Sequence, residues 1–348
     1  MRTKRLEMKK VGKKKFVIPV VLCFAVILFL CYYYFFTSML HGDDRRLVYI
    51  DNDDNIDSVY VKLDEISSAH AMAAFKTLAR HSSYEEHIRT GCYEIFPGDC
   101  AITVFRKLKN GLQTSVRLTV PSVRTTDRLA GVLAGKLMAD SASIYTALTD
   151  SAVCAQYGYT PETVICMFIP NTYEVYWNIS VKSLLDKMNK ESKKFWNFER
   201  TQKAQAMDFT KEEVMTLASI VDEETANDAE KPMVAGMYVN RLKAGMPLQA
   251  DPTVKFALKD FGIRRIYHNM LKVDSPYNTY MNTGLPPGPI RIPSVAGIDA
   301  VLNHIHHKYL YMCAKEDFSG THNFAETYGE HLQNAAKYSA ALNKRGIK

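Results

Sequence analysis

Apolar positions fall first into one unbroken run and then into a series of short periodic segments. Phe16 to Phe36, FVIPVVLCFAVILFLCYYYFF, holds no charged residue. At 1.5 Å per residue it makes about 31 Å of helix, enough to cross a bilayer, and its tyrosine cluster suits the interface. After a polar linker, Leu47–Ile50 reads as a strand and the alternation in Ser58–Lys62 predicts a second. Asp64–Arg80 carries Met72, Phe75 and Leu78 at helical spacing. GCYEIFPGD (91–99) predicts a strand and a turn; Ile102–Leu108 predicts a short helix stopped by Lys109-Asn110-Gly111, and Ser115–Val120 a further strand.

Beyond Pro121 the period becomes mostly helical. Helices are predicted over Thr126–Met138 and Val181–Met207, with FIPNTYEVYWN (168–178) extended between them. Phe209–Thr253 then holds two helices and the start of a third. Thr210 and Glu213 form a capping box, with Phe209 and Val214 placed as a staple. At 100° per residue, Val214, Leu217, Ala218, Val221, Glu224 and Thr225 fall within about 60° of one line. Asp222 lies at the edge of that stripe and Glu223 on the opposite, solvent side. A carboxylate turned to the core must be paired or protonated, so helix geometry leaves open either an ion pair, a second cap, or a general acid of raised pKa.

The next helix opens near Pro232 and stops at Gly245; Asp251-Pro252 opens another to about Asp260. Phe261–Pro293 lacks any period, and so long a loop inside a domain points to function. Its Tyr277, Asn278 and Tyr280 offer stacking faces and amides suited to sugars; plain turn chemistry is the alternative. Ser294 caps a helix to about His306, Tyr309–Ala314 is a strand, THNF (321–324) a turn, and Glu326–Arg345 a closing helix.

Charge sharpens the first element. Residues 1–15 carry eight Lys or Arg against Glu7, which accounts for the whole net charge of +7; the remainder holds 36 basic and 36 acidic residues. That argues against a nucleic-acid partner and puts the N-terminus in the cytoplasm, with the rest of the chain beyond the membrane. Of the seven cysteines, Cys23 and Cys31 lie in the apolar run; the other five form no zinc or disulfide framework. A Cys92–Cys100 bridge stays open beside buried free thiols. His304, His306 and His307 lack the i, i+4 spacing of a metal site, so neither metal nor cofactor is expected.

Several ordered motifs together resemble one family: LASIVDEET (217–225), VNRL (239–242), MPLQADPTV (246–254), SPYNTY (275–280) and TGLPPGPI (283–290), with GCYEIFPGD and FIPNTYE upstream. This combination resembles the YceG-like/MltG family of membrane-anchored endolytic murein transglycosylases. The resemblance implies an α+β chain: a cytoplasmic tip (1–15), a transmembrane helix (16–36), a linker (37–46), a small LysM-like subdomain (47–120) and a mixed, mostly helical catalytic domain (121–348).

It further implies an enzyme of the plasma (inner) membrane acting on peptidoglycan. The expected reaction cleaves, without water, the β-1,4 bond between N-acetylmuramic acid and N-acetylglucosamine, leaves 1,6-anhydromuramyl ends and terminates strand elongation. Its partners would be glycan strands, the lipid bilayer and cell-wall synthases. A non-catalytic peptidoglycan-binding scaffold and a hydrolytic muramidase are the alternatives.

Glu224 stands where the family's catalytic acid does. Asn240, Gln249, Asp251, Tyr277, Asn278 and Tyr280 fall at substrate-groove positions, though Asp251 also suits a helix cap and Asn240 a structural role. Asp222 replaces a usual Glu. His322 and Phe324 match an H-x-F element read as structural.

Overall fold

The computed structural model describes residues 2–263 and 265–346, a mixture of helices and short strands that divides into two units.

The first unit comprises Met1–Val116 and Glu174–Asn178. Helix α1 (Arg2–Phe36) contains Val17–Phe36, long and apolar enough to cross a membrane, with a mean hydropathy of 2.5. Strand β1 (Arg46–Ile50), helices α2 (Ile56–Asp64) and α3 (Ala69–His81), strand β2 (Gly91–Ile95) and helix α4 (Ala101–Asn110) follow. β1 and β2 pair antiparallel, Val48 opposite Tyr93. The core sets Phe75, Tyr84 and Phe105 edge to face, with centroids 5.9–6.2 Å apart.

The strand expected at Ser58–Lys62 is instead part of α2. The Asn55 side chain accepts from Asp57 N and Ser58 N at 3.0 Å, and Ser58 Oγ accepts from Asn55 N at 2.9 Å. With that capping box in place, Val59 and Leu63 bury at i, i+4. α4 ends as predicted, at Gly111 with φ 66°.

The second unit comprises Arg117–Tyr173 and Ile179–Lys348. Strand β3 (Ser115–Val120) pairs with β4 (Asn171–Tyr176). Between them lie α5 (Thr126–Ala134), α6 (Ser141–Thr149) and α7 (Ser151–Gln156). The last two, unforeseen, are held by short-range caps: Asp140 accepts from Ser143 N, and Asp150 from Ala152 N and Val153 N. The single helix expected over 181–207 is two, α8 (Val181–Phe195) and α9 (Phe198–Ala206). Trp196 leaves helical geometry and Asn197 caps the second, accepting from Arg200 N at 3.0 Å.

Helices α10 (Lys211–Glu224), α11 (Lys231–Lys243), α12 (Asp251–Leu258) and α13 (Val295–Leu302) build the centre. The capping box opens α10 as expected. The one-sided stripe does not describe its middle, because all eight residues from Val214 to Val221 are buried. α11 and α13 pack on it, and Ser219, inside the core, accepts from Ile290 N at 3.0 Å to anchor the long loop. Gly236 of α11 lies so close to the backbone before His307 that an added Cβ would stand 2.3 Å from the Ile305 oxygen.

The unit closes with strands β5 (Tyr311–Ala314) and β6 (His322–Ala325) and helix α14 (Tyr328–Lys344). The turn expected at 321–324 is thus mostly strand β6, antiparallel to β5 with Met312 opposite Phe324.

Candidate active site

Three acids in succession at the end of α10 take three separate environments. Asp222 is buried and accepts from Ser294 N at 2.5 Å and Ser294 Oγ at 2.9 Å, while Lys231 Nζ sits 2.7 Å away. It ties α10 to the start of α13. Glu223, expected in solvent, is instead gripped by Arg124 through two bonds of 2.8 Å and by Arg291 at 2.9 Å. Those arginines come from distant segments, so a helical projection could not place them.

Glu224 alone enters a cleft of about 330 Å³. It is the last residue of α10, and Thr225 has already left helical geometry, with φ −141°. Tyr238 and Arg241, one turn apart on α11, line the same cleft. Tyr238 is fully buried and its hydroxyl donates to Glu224 Oε1 at 2.8 Å. Arg241 spends its guanidinium on the carbonyls of Leu310 (2.6 Å) and Leu248 (2.7 Å).

Desolvation pushes the Glu224 carboxyl from its ordinary 4.5 up to about 7. The Tyr238 hydrogen bond opposes that rise, the Asp251 charge adds to it, and His322 and Arg241 pull back. Although part of the residue surface opens to the cleft, the carboxyl itself is deeply enclosed by protein. Desolvation therefore dominates.

Three of the expected groove residues share this cleft: Gln249, Asp251 and Tyr280. Gln249 is exposed between buried Leu248 and Ala250, in the left-handed region at φ 49°. Such backbone strain in a non-glycine residue is sustained by its surroundings, here a Gln249 N–H bond to the Thr279 carbonyl at 3.0 Å. Asp251 is not the N-cap of α12, since no side chain caps that helix. Its carboxylate instead accepts from Tyr280 Oη at 2.6 Å.

The other three stand apart. The Asn240 amide donates to the carbonyls of His307 (2.8 Å) and Tyr309 (3.0 Å), holding the chain before β5. Asn278 is fully buried and donates to the Leu271 and Val273 carbonyls at 2.9 and 2.8 Å, while its oxygen accepts from Tyr280 N. It folds the loop that presents Tyr280. Tyr277 packs on Phe256, centroids 4.7 Å apart, and lines a separate, larger cavity of about 820 Å³ with Arg124 and Arg291.

Pattern reading missed the polar shell behind the cleft. Glu230, just before α11, accepts from Thr225 Oγ1 (2.9 Å), His322 N (2.6 Å) and His322 Nδ1 (3.0 Å). A buried Glu at a helix start carries no signal of its own; only the H-x-F motif pointed at His322.

Comparison with known proteins agrees with this architecture. A model of the YceG-like family matches residues 48–337. The chain belongs to that family. An endolytic murein transglycosylase of Bacillus subtilis is 40% identical to this YceG-like chain over 132 residues, 38% of this chain and 36% of that protein. One of Streptococcus pneumoniae serotype 2 is 25% identical over 316 residues, 82% of this chain and 56% of that protein. The YceG-like chain therefore spans about half the length, or less, of these curated relatives. The crystal structure of a yceG-like protein from Listeria monocytogenes shares the fold, with a TM-score of 0.55 at 24% identity, covering 84% of this chain and 99% of that one.

Proposed function

We propose that this protein is an endolytic murein transglycosylase with Glu224 as its catalytic acid. The carrying observation is one carboxyl, enclosed and raised to about 7, in a cleft with Gln249, Asp251 and Tyr280. The names of the pneumococcal and Bacillus relatives support the same reading.

Near neutral pH a carboxyl of that pKa is partly protonated and can serve first as acid and then as base. Protonated Glu224 donates to the glycosidic oxygen between N-acetylmuramic acid and N-acetylglucosamine. The C1–O bond breaks, and positive charge develops on the muramyl ring. The sugar's own 6-hydroxyl then closes on C1 to form the 1,6-anhydro ring, and its proton passes back to the Glu224 carboxylate. Bonds and protons balance without water. The exposed Gln249 amide offers a dipole to the developing charge.

Asn240, Asn278 and Tyr277 act in this reading as supports. Asn240 fixes the approach to β5, Asn278 folds the loop behind Tyr280, and Tyr277 packs on Phe256. The strand–helix–helix–strand order of the first unit supports a LysM-like, glycan-gripping role. The basic tip and apolar helix support a single-pass plasma-membrane anchor with the tip in the cytoplasm, which would keep the enzyme beside the synthases whose nascent strands it ends.

Asp251 favours one rival, a hydrolytic muramidase, because it puts a second carboxylate in the cleft. Mass spectrometry of products from purified glycan strands tests both readings. Anhydro ends that vanish in Glu224→Gln are expected. Reducing ends that vanish in Asp251→Asn instead indicate hydrolysis. A protein that binds murein and leaves its muropeptides unchanged is only a scaffold.

A further inference from the structure

The cleft contains a second group built for proton transfer. His322 lines it beside Glu224, and its ring is held from behind by the buried carboxylate of Glu230. Because a carboxylate can only accept, Nδ1 must carry the proton of their 3.0 Å bond. That leaves Nε2, which has no hydrogen-bond partner among the described residues and is not sealed off from solvent.

The neighbouring polar groups are already engaged. Tyr238 donates to Glu224, Tyr280 donates to Asp251, and Arg241 donates to the carbonyls of Leu310, Pro247 and Leu248. His331 also lines the cleft, but it lies flat on Tyr311 and its buried Nδ1 has no partner to orient it. Anchoring the hairpin does not require the imidazole, since the His322 backbone N–H already bonds Glu230 Oε1 at 2.6 Å. The ring bond adds orientation, in the way a buried acid orients a catalytic imidazole. Thr225, directly after Glu224, donates to the same Glu230 carboxylate, so one acid fixes both the end of α10 and the ring.

We propose that His322, oriented by Glu230, is a second proton-transfer residue of this cleft: its Nε2 accepts the proton of the attacking sugar hydroxyl and passes it to Glu224. This rests on the transglycosylase reading and supplies its return step. In one turnover Glu224 gives its proton to the leaving oxygen. The 6-hydroxyl bonds to C1 and releases its proton to Nε2. The imidazolium then reprotonates the Glu224 carboxylate, and both groups are restored.

The test uses the full chain in detergent micelles with purified glycan strands. General-base assistance is worth about 10²–10⁴ in rate, so His322→Ala is expected to lose about 100-fold in kcat with KM nearly unchanged. Free imidazole in the buffer should recover part of that loss. Glu230→Gln should lose less and not respond to imidazole. A His322→Ala protein of native stability that turns over at the wild-type rate, or whose lost rate imidazole does not touch, overturns the proposal. If His322→Ala does not fold, His322→Gln keeps an N–H for Glu230 but has no basic nitrogen, and a wild-type rate there overturns it equally. Glu224→Gln separates the two ideas: activity surviving that change removes the transglycosylase reading itself, whatever His322 does.

Discussion

Replacing Glu224 by Gln should stabilise the protein, and by an amount that depends on pH in a defined way. The folded carboxyl titrates at about 7 and its ordinary value is 4.5. Below about pH 4.5 both folded and unfolded chains hold the proton, so the group costs nothing. From 4.5 to 7 only the unfolded chain releases it, and stability falls as pH rises; above 7 the penalty levels off. At about 1.4 kcal/mol per unit the full shift corresponds to about 3 kcal/mol, an upper bound because part of the residue opens to the cleft. Gln keeps an oxygen to accept the Tyr238 hydroxyl, so little else changes. Urea unfolding of both proteins at pH 4, 6 and 8 should show no difference at the first and a gain of about 1–3 kcal/mol for the variant at the last. A gain equal at all three, or a loss that grows with pH, refutes the claim that desolvation sets this acid's proton affinity. In the wild type, turnover should fall as pH rises through about 7.

Other expectations follow from single contacts. Tyr238→Phe removes a hydrogen bond that lowers the Glu224 pKa, so the alkaline limb of the rate profile should move to higher pH; a downward move contradicts it. Asp222→Ala leaves buried Lys231 with the exposed Asp228 as its one remaining charged partner among the described residues, beside a 3.4 Å bond to Ser294 Oγ, and should cost about 3 kcal/mol in urea unfolding without changing the products. Gly236→Ala forces a Cβ against the Ile305 carbonyl and should destabilise by about 1–3 kcal/mol, read as a lower thermal midpoint. Asn278→Ala unties the loop that presents Tyr280, so KM for glycan strands should rise severalfold together with loss of thermal stability; a pure substrate contact would change KM alone.

Local rules carried the sequence reading where the physics is local. The Thr210–Glu213 box, the Gly111 stop and the hydrophobic spacing of α3 each depend on residues a few positions apart. They failed where two local rules compete. Ser58–Lys62 alternates like a strand, yet its Val59 and Val61 also fit a helix once Asn55 caps it, and only Val59 is buried. α6 and α7 hold nine and six residues, too short for periodicity to show, and their caps are the real signal.

The site divides along the same line. Helical angle alone set Glu224 apart from its two acidic neighbours, and the structure gives it a different fate from both. The angle could not say what Asp222 and Glu223 do, because Lys231, Ser294, Arg124 and Arg291 reach them from elsewhere in the sequence. Asn240, placed at a groove position by the family resemblance, and Asn278, read as a sugar-facing amide, both spend their amides on backbone carbonyls, which any loop crossing a core requires. Conversely, Glu230 and His322 lie 92 positions apart and meet only through the β5–β6 hairpin. Whether Glu224 acts alone is therefore a question about that hairpin. If Glu230 matters only as an anchor, Glu230→Gln should cost stability and leave kcat intact. Because Glu230 also holds Thr225 beside Glu224, a fall in kcat at unchanged stability places the imidazole in the reaction only where His322→Gln, which leaves the Thr225 bond in place, lowers kcat as well.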